Sequence, residues 1–155
     1  MAYASGTAVA TVEVDIETGE VRILDFVMAH DCGRVINAMI VDGQVVGGIV
    51  HGIGNALFER MHFDSSGQPL TTTLAEYLLP TSVEAPTMRL THRQSSSPLN
   101  PLGVKGVGES GVLPTAAAII SAVEDALAEY RVRIDCAPLA PHQIIALIAG
   151  AGTRR

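Results

Sequence analysis

The sequence predicts an α+β fold, and three observations carry that prediction. Two β-branched runs with strand alternation flank a short turn. Apolar residues then recur at helical spacing in two long segments. Between those segments lies a Pro- and Gly-rich stretch that fits neither a helix nor a central strand. The expected architecture is a β-hairpin with additional short strands packed on two main helices. With 155 residues there is room for one domain, 1–155.

Thr7 to Asp15 alternates, with Val9, Thr11 and Glu13 on one side and Ala10, Val12 and Val14 on the other. Glu17-Thr18-Gly19-Glu20 supplies a turn, and Val21 to Met28 supplies the second run of a hairpin. Asp31-Cys32-Gly33-Arg34 breaks that strand. Asn37 reads as a helix N-cap, and Asp42 near the helix start suits the helix dipole. The helix from about Ala38 to Arg60 holds Gly43, Gly47, Gly48, Gly52 and Gly54. Each costs about 1 kcal/mol relative to Ala, so roughly 5 kcal/mol opposes the isolated helix. Tight tertiary packing must offset that. Gly43/Gly47 and Gly48/Gly52 are spaced to admit another backbone, and a ligand against the helix near Gln44 is the sharper alternative.

Met61 to Asp64 with Ser65-Ser66-Gly67 reads as a short strand and turn. Thr73 to Leu79 reads as a helical turn stopped by Pro80, and Thr87 to Arg93 as a weakly alternating strand. Residues 95–112 form the irregular segment. A helix opened by Pro114 follows, with Ala116, Ile119, Ile120, Val123, Leu127 and Tyr130 on one face. Val132-Arg133-Ile134 is predicted to be a short strand, and Pro141 to start a last helix through about Ala149.

Composition narrows the function classes. Hydrophobic residues at 48% against 17% charged exclude a disordered chain. Aromatics are 4% and Trp is absent, so the core is aliphatic with close backbone contacts at glycine. Such a composition suits a buried piece of a larger body. The net charge is −6 and no basic run exists beyond Arg154-Arg155, which disfavours nucleic acid as a partner. The N-terminal residues carry no signal-peptide pattern, and Ala38 to Phe58 is too polar for a membrane span. The two cysteines, Cys32 and Cys136, form no disulfide framework or C-x-x-C pair, so a cytoplasmic location is the default.

Gly106-Val107-Gly108-Glu109-Ser110-Gly111 matches G-x-G-x-x-G, but no strand precedes it, so a Rossmann site is rejected. Its physics still counts. Glycines let backbone N–H groups approach an anionic ligand, the loop feeds a helix N-terminus, and Lys105 adds a cation. Glu109 is the one carboxylate among those donors. By itself it reads as either a solvated acid or, if burial raised its pKa, a general base. His30, Cys32, His51, His62 and His92 lack metal-ligand spacing and read as structural or surface residues; no metal ligand is assigned. Ser95 to Ser97 show no nucleophile elbow.

Three blocks resemble the molybdopterin-binding (large) subunit of the xanthine dehydrogenase, aldehyde oxidase and carbon monoxide dehydrogenase family, in its C-terminal part. The first is His30 to Asn37 running into Gly43-Gln44-Val45-Val46-Gly47-Gly48 and Gly52-Ile53-Gly54. The second is Tyr77-Leu78-Leu79-Pro80-Thr81, and the third, the most specific, is Ser97 to Glu109. The likeness runs from about Tyr3 to Ile145. Ser110 and Ala38 stand where relatives often carry Gly and Pro, and neither change removes chemistry.

The resemblance implies roles at named positions. Gln44 matches a glutamine beside the molybdenum ligands and pterin. Lys105, Gly106, Val107 and Gly108 match the loop lying against molybdopterin, and Glu109 matches the glutamate that acts as general base. It also implies a partial domain: a split subunit or fragment of a molybdenum hydroxylase, inactive alone. The pterin, expected as the cytosine dinucleotide, would be shared with another chain that completes the molybdenum-binding subunit. Iron–sulfur clusters and FAD would sit on further subunits. The implied reaction is oxidative hydroxylation of an aldehyde or N-heterocycle with water as oxygen source. The alternative is a noncatalytic assembly module descended from that domain. Either way the glycine-rich helix should be buried, partly against a partner, and the isolated chain poorly soluble.

Overall fold

The computed structural model describes residues 2–152. The hairpin forms as expected. Strand β1 (Ser5–Val14) pairs antiparallel with β2 (Val21–Asp31), with Val14 opposite Val21. The Asp15 side chain closes the turn by accepting from the N–H groups of Glu17 at 2.8 Å and Thr18 at 3.1 Å. On β1 the inward residues are Ala8, Ala10, Val12 and Val14. On β2 the period of two slips, because Ile23 and Phe26 both face inward. A register shift between Thr11 and Val12 explains this. Thr11 faces Asp25 and Val12 faces Ile23, so one extra β2 residue bulges and both halves keep an apolar inner face.

The segment 87–93 is a strand, with a placement the sequence does not reveal. Strand β3 (Thr87–His92) lies on the far side of β2 and runs parallel to it. Met88 pairs with Phe26, Leu90 with Met28 and His92 with His30. A parallel neighbour needs a long crossover. Helix α1 (Ala38–Leu57) and the segment 58–86 provide it.

Asn37 caps α1, its side chain accepting from the Ile40 N–H at 3.2 Å. Asp42 does not serve the helix dipole, since no acidic residue occupies the first turn. Instead it bonds His92 on β3 at 2.5 Å, fastening α1 to the sheet. Val41, Val45, Ile49, Ile53 and Leu57 form the buried stripe of α1. Helix α2 (Val112–Ala126) buries Thr115, Ile119 and Val123, one residue per turn. The third helix, α3 (Pro141–Gly152), contributes fully buried Ile144. All meet Phe26 and Met28 in one aliphatic core.

Four of the five α1 glycines divide into two kinds, while Gly54 faces the Glu59 side chain and Pro80. Gly48 and Gly52 meet α2 so closely that a Cβ on Gly48 would lie 2.9 Å from the Gly111 Cα, and one on Gly52 2.5 Å from the Thr115 Cβ. Gly43 and Gly47, by contrast, face open space. The helix is therefore buried on one side only. Its outer side carries Met39 at 77% and Ile40 at 62% exposure, just after Ile36, which is also exposed. An apolar surface of this kind marks an interaction site rather than a solvated face.

Two expectations fail. Val132 to Ile134 forms no strand, because the Ile134 N–H is taken by the Glu124 carboxylate at 2.7 Å rather than by a neighbouring strand. Met61 to Asp64 contributes a single bridge, Phe63 to Pro69, closed by the Asp64 side chain accepting from Ser66 and Gln68. Thr73 to Tyr77 makes one helical turn, as expected. Among the described residues, no helix is long and apolar enough to cross a membrane.

Candidate active site

The site is assembled where the end of β2, the outer face of α1 and the loop before α2 converge. Gly33, at φ +71°, follows β2 and bridges Val104. A Cβ there would strike the Gly103 carbonyl, so this crossing requires glycine. The Arg34 N–H donates to Gly103 O at 3.0 Å and the Lys105 N–H to Cys32 O at 2.8 Å. Asn100 grips Val104 through both ends of its amide, donating to the carbonyl at 2.8 Å and accepting from the N–H at 3.1 Å. The backbone up to Lys105 is thus fixed to the β2 end.

Lys105 does not reach toward an open face. Its ammonium donates to Asp31 Oδ2 at 3.0 Å and to Ser95 Oγ at 2.6 Å. Asp31 also accepts from the Gly33 N–H at 2.8 Å, the Ser95 N–H at 3.2 Å and the Ser95 hydroxyl. The Ser95 hydroxyl, opposed by burial and helped by the Gly33 N–H and the Lys105 ammonium, holds the Asp31 carboxyl well below the usual carboxylate range. Within this chain the Lys105 ammonium is therefore engaged by Asp31 and Ser95. Val107 likewise turns inward and packs against the core.

Beyond Lys105 the loop opens. Gln44 is exposed on α1, and its Nε2 donates to Gly108 O at 2.7 Å. This bond unites the resembling blocks around Gln44 and Glu109. A Cβ on Gly106 or Gly108 would meet nothing, as on Gly43 and Gly47. Among the described residues, the N–H groups of Val107, Gly108 and Glu109 donate to no protein acceptor. Open glycine positions with unused N–H donors suit an anionic, flat-faced ligand. That chemistry fits a pterin phosphate cofactor.

Glu109 is exposed, and its carboxylate has no hydrogen-bond partner among the described residues. Its backbone carbonyl starts α2, accepting from Val112 at 3.2 Å and Leu113 at 3.3 Å. The carboxylate faces solvent in this chain. Two concavities of the described residues, one beside Glu129 to Asp135 and one beside the hairpin turn and Leu57, do not include Glu109. Among the described residues, no three His, Cys, Asp or Glu side chains are placed to share a metal ion.

The sequence reading assigned no site role to Asp31, Ser95 or His92, and gave Asp42 only a part in the helix dipole. The adjacency of His30 and Asp31 was the available signal. His30 is 1% exposed, stands edge-on to His92 with ring centres 5.6 Å apart, and makes no hydrogen bond through either ring nitrogen. Burial, then the nearby His92, pushes its pKa down, and Asp31 opposes this in part. His30 is held neutral by the fold, while the unfolded chain takes up the proton as pH falls through about 6.5. Its stabilising contribution is therefore present above that pH and lost below it. The urea midpoint should be lower near pH ~5.5 than near pH ~7.5, and His30→Leu should flatten the difference. A midpoint rising toward acid would contradict this.

A family model described as the molybdopterin cofactor-binding domain matches residues 1–86, which hold the hairpin, α1 and Gln44. The chain belongs to this family. It corresponds to part of the molybdopterin-binding subunit of xanthine dehydrogenase-type enzymes. It is 41% identical over 151 residues to the 6-hydroxypseudooxynicotine dehydrogenase complex subunit gamma of Paenarthrobacter nicotinovorans, covering 97% of this chain and 19% of that one. Quinoline 2-oxidoreductase from Pseudomonas putida 86 superimposes with a TM-score of 0.86 at 45% identity, over 89% of this chain and 18% of that one. Reconstituted CO dehydrogenase from Oligotropha carboxidovorans gives 0.91 at 30% identity, over 98% and 19%. The chain thus spans about a fifth of the length of these relatives.

Proposed function

We propose that this chain completes the active site of a multi-subunit molybdenum hydroxylase and contributes its general base, Glu109. The observation that carries the reading is the Gln44–Gly108 hydrogen bond, which sets the open glycine face of α1 against the Gly106–Glu109 loop. Gln44 and the free N–H groups of residues 107–109 would hold and orient the pterin. When bound, the molybdenum cofactor would supply the two-electron oxidising centre. The Glu109 carboxylate would take the proton from a water-derived oxygen as that oxygen attacks the substrate carbon. The net change adds one water oxygen to an aldehyde or N-heterocycle and releases two electrons and two protons. In this reading the electrons pass to iron–sulfur and FAD subunits, and the pterin is the cytosine dinucleotide form.

Ile36, Met39 and Ile40 at the start of α1 and Leu113 at the start of α2 are exposed apolar residues that fit contact with the rest of the molybdenum-binding subunit. That contact would bury Glu109 and exclude water. The exposure of Glu109 in this chain favours a second reading, a noncatalytic assembly module. Molybdenum and pterin content separates the two. The chain purified with the remaining subunits should carry both, and the chain alone should carry neither. A complex that holds full cofactor without this chain would support the assembly module.

A further inference from the structure

We infer that Lys105 is a positioning residue, latched through Asp31 and Ser95 so that the Gly106–Glu109 loop stands at a fixed height against α1. The inference rests on the reading of Glu109 as base, and it assigns Lys105 a role other than neutralising the cofactor.

Both charges of the latch are largely sequestered, with side-chain exposures of 15% for Lys105 and 11% for Asp31. A pair so placed is costly to break, because removing one partner strands the other charge. Ser95 Oγ lies 2.6 Å from the ammonium and also donates to the carboxylate, so three groups share one network. Asp31 spends its remaining capacity on the Gly33 and Ser95 N–H groups. The anchor is therefore tied to β2, to the Gly33 crossing and to the irregular segment after β3 at once. Lys105 is four residues before Glu109, and Gly106 and Gly108 between them have open surroundings. Packing does not stiffen those glycines. The loop is held instead at its two ends: by the latch at Lys105, and by the Gln44 bond to Gly108 with Gly111 wedged on α1. Release of the first end would let the Glu109 carboxylate drift, and small misplacements of a catalytic group are costly in rate.

The test uses the assembled holoenzyme carrying Asp31→Asn, Lys105→Met, the double variant, and Glu109→Gln as reference. The latch predicts that Asp31→Asn and Lys105→Met each lower kcat by about tenfold to a hundredfold, with KM changed less than about twofold and molybdenum and pterin retained. The double variant should be no worse than either single one, because both remove the same interaction. Amide hydrogen exchange at residues 106–109 should quicken in both single variants while α1 is unchanged. Loss of cofactor in Lys105→Met but not in Asp31→Asn would overturn the latch and return Lys105 to the cofactor. So would additive losses, or unchanged exchange. If Asp31→Asn fails to assemble, Ser95→Ala removes only the shared hydroxyl, and unchanged loop exchange and kcat in that variant would overturn the latch equally. Near-normal turnover in Glu109→Gln refutes the base assignment itself. Suppressed turnover there, with normal kcat in the latch variants, refutes only the latch.

Discussion

Glu109→Gln in the assembled enzyme is expected to lower turnover by about 10²- to 10⁴-fold, the range contributed by a positioned general base. The substitution keeps the side chain's shape and removes only its capacity to accept the proton. The exposed position of Glu109 makes this a clean experiment, because no internal hydrogen bond depends on the carboxylate. Folding, assembly and cofactor content should match the parent, so the loss should appear in kcat. Turnover within a few-fold of the parent would assign proton abstraction to a group on another chain.

The second large effect concerns the seam between α1 and α2. Gly111→Ala should destabilise the chain by more than the ~1–3 kcal/mol typical of overpacking. The added methyl would collide with the Val45 carbonyl and lie 2.9 Å from the Ile49 N. Those are helix backbone atoms that cannot swing aside as a side chain does. Relief requires α1 and α2 to part, which disturbs Glu109 two residues earlier. Reduced yield of the assembled complex and a lower urea midpoint are the readouts. Gly47→Ala provides the contrast, since its methyl enters open space. That chain should gain up to about 1 kcal/mol from helix propensity yet bind less pterin. Full pterin content in Gly47→Ala would remove the outer α1 face from the cofactor site.

Local features were readable from sequence where the chemistry is local. Alternation over Thr7 to Asp15 placed β1 because its apolar residues face one side along the strand. Asn37 marked the start of α1 because capping acts within one turn. The spacing of Ile119 and Val123 identified α2 for the same reason. Distant pairings were not readable. Gln44 and Gly108 are 64 positions apart, and Asp31 and Lys105 are 74 apart. No periodicity reports such partners, so Lys105 was assigned by the likeness of its loop, and its pairing with Asp31 was not legible. Gly43, Gly47, Gly48 and Gly52 looked alike in sequence, and only the position of α2 separated packing glycines from open ones. Glu109 was found through a family likeness, while its environment depends on polypeptide outside this chain.

The parallel pairing of β2 with β3 also has a kinetic consequence. The ion pair between Asp25 and Arg89 ties residues 64 positions apart, and every β2–β3 rung has a comparable span. The hairpin can zip early, since its closing turn is only a few residues long. Docking of β3 must await a large loop closure and should be a late event. His92, and Ser95 just after it, arrive with β3, so the carboxylate-bearing loop acquires its final shape near the end of folding.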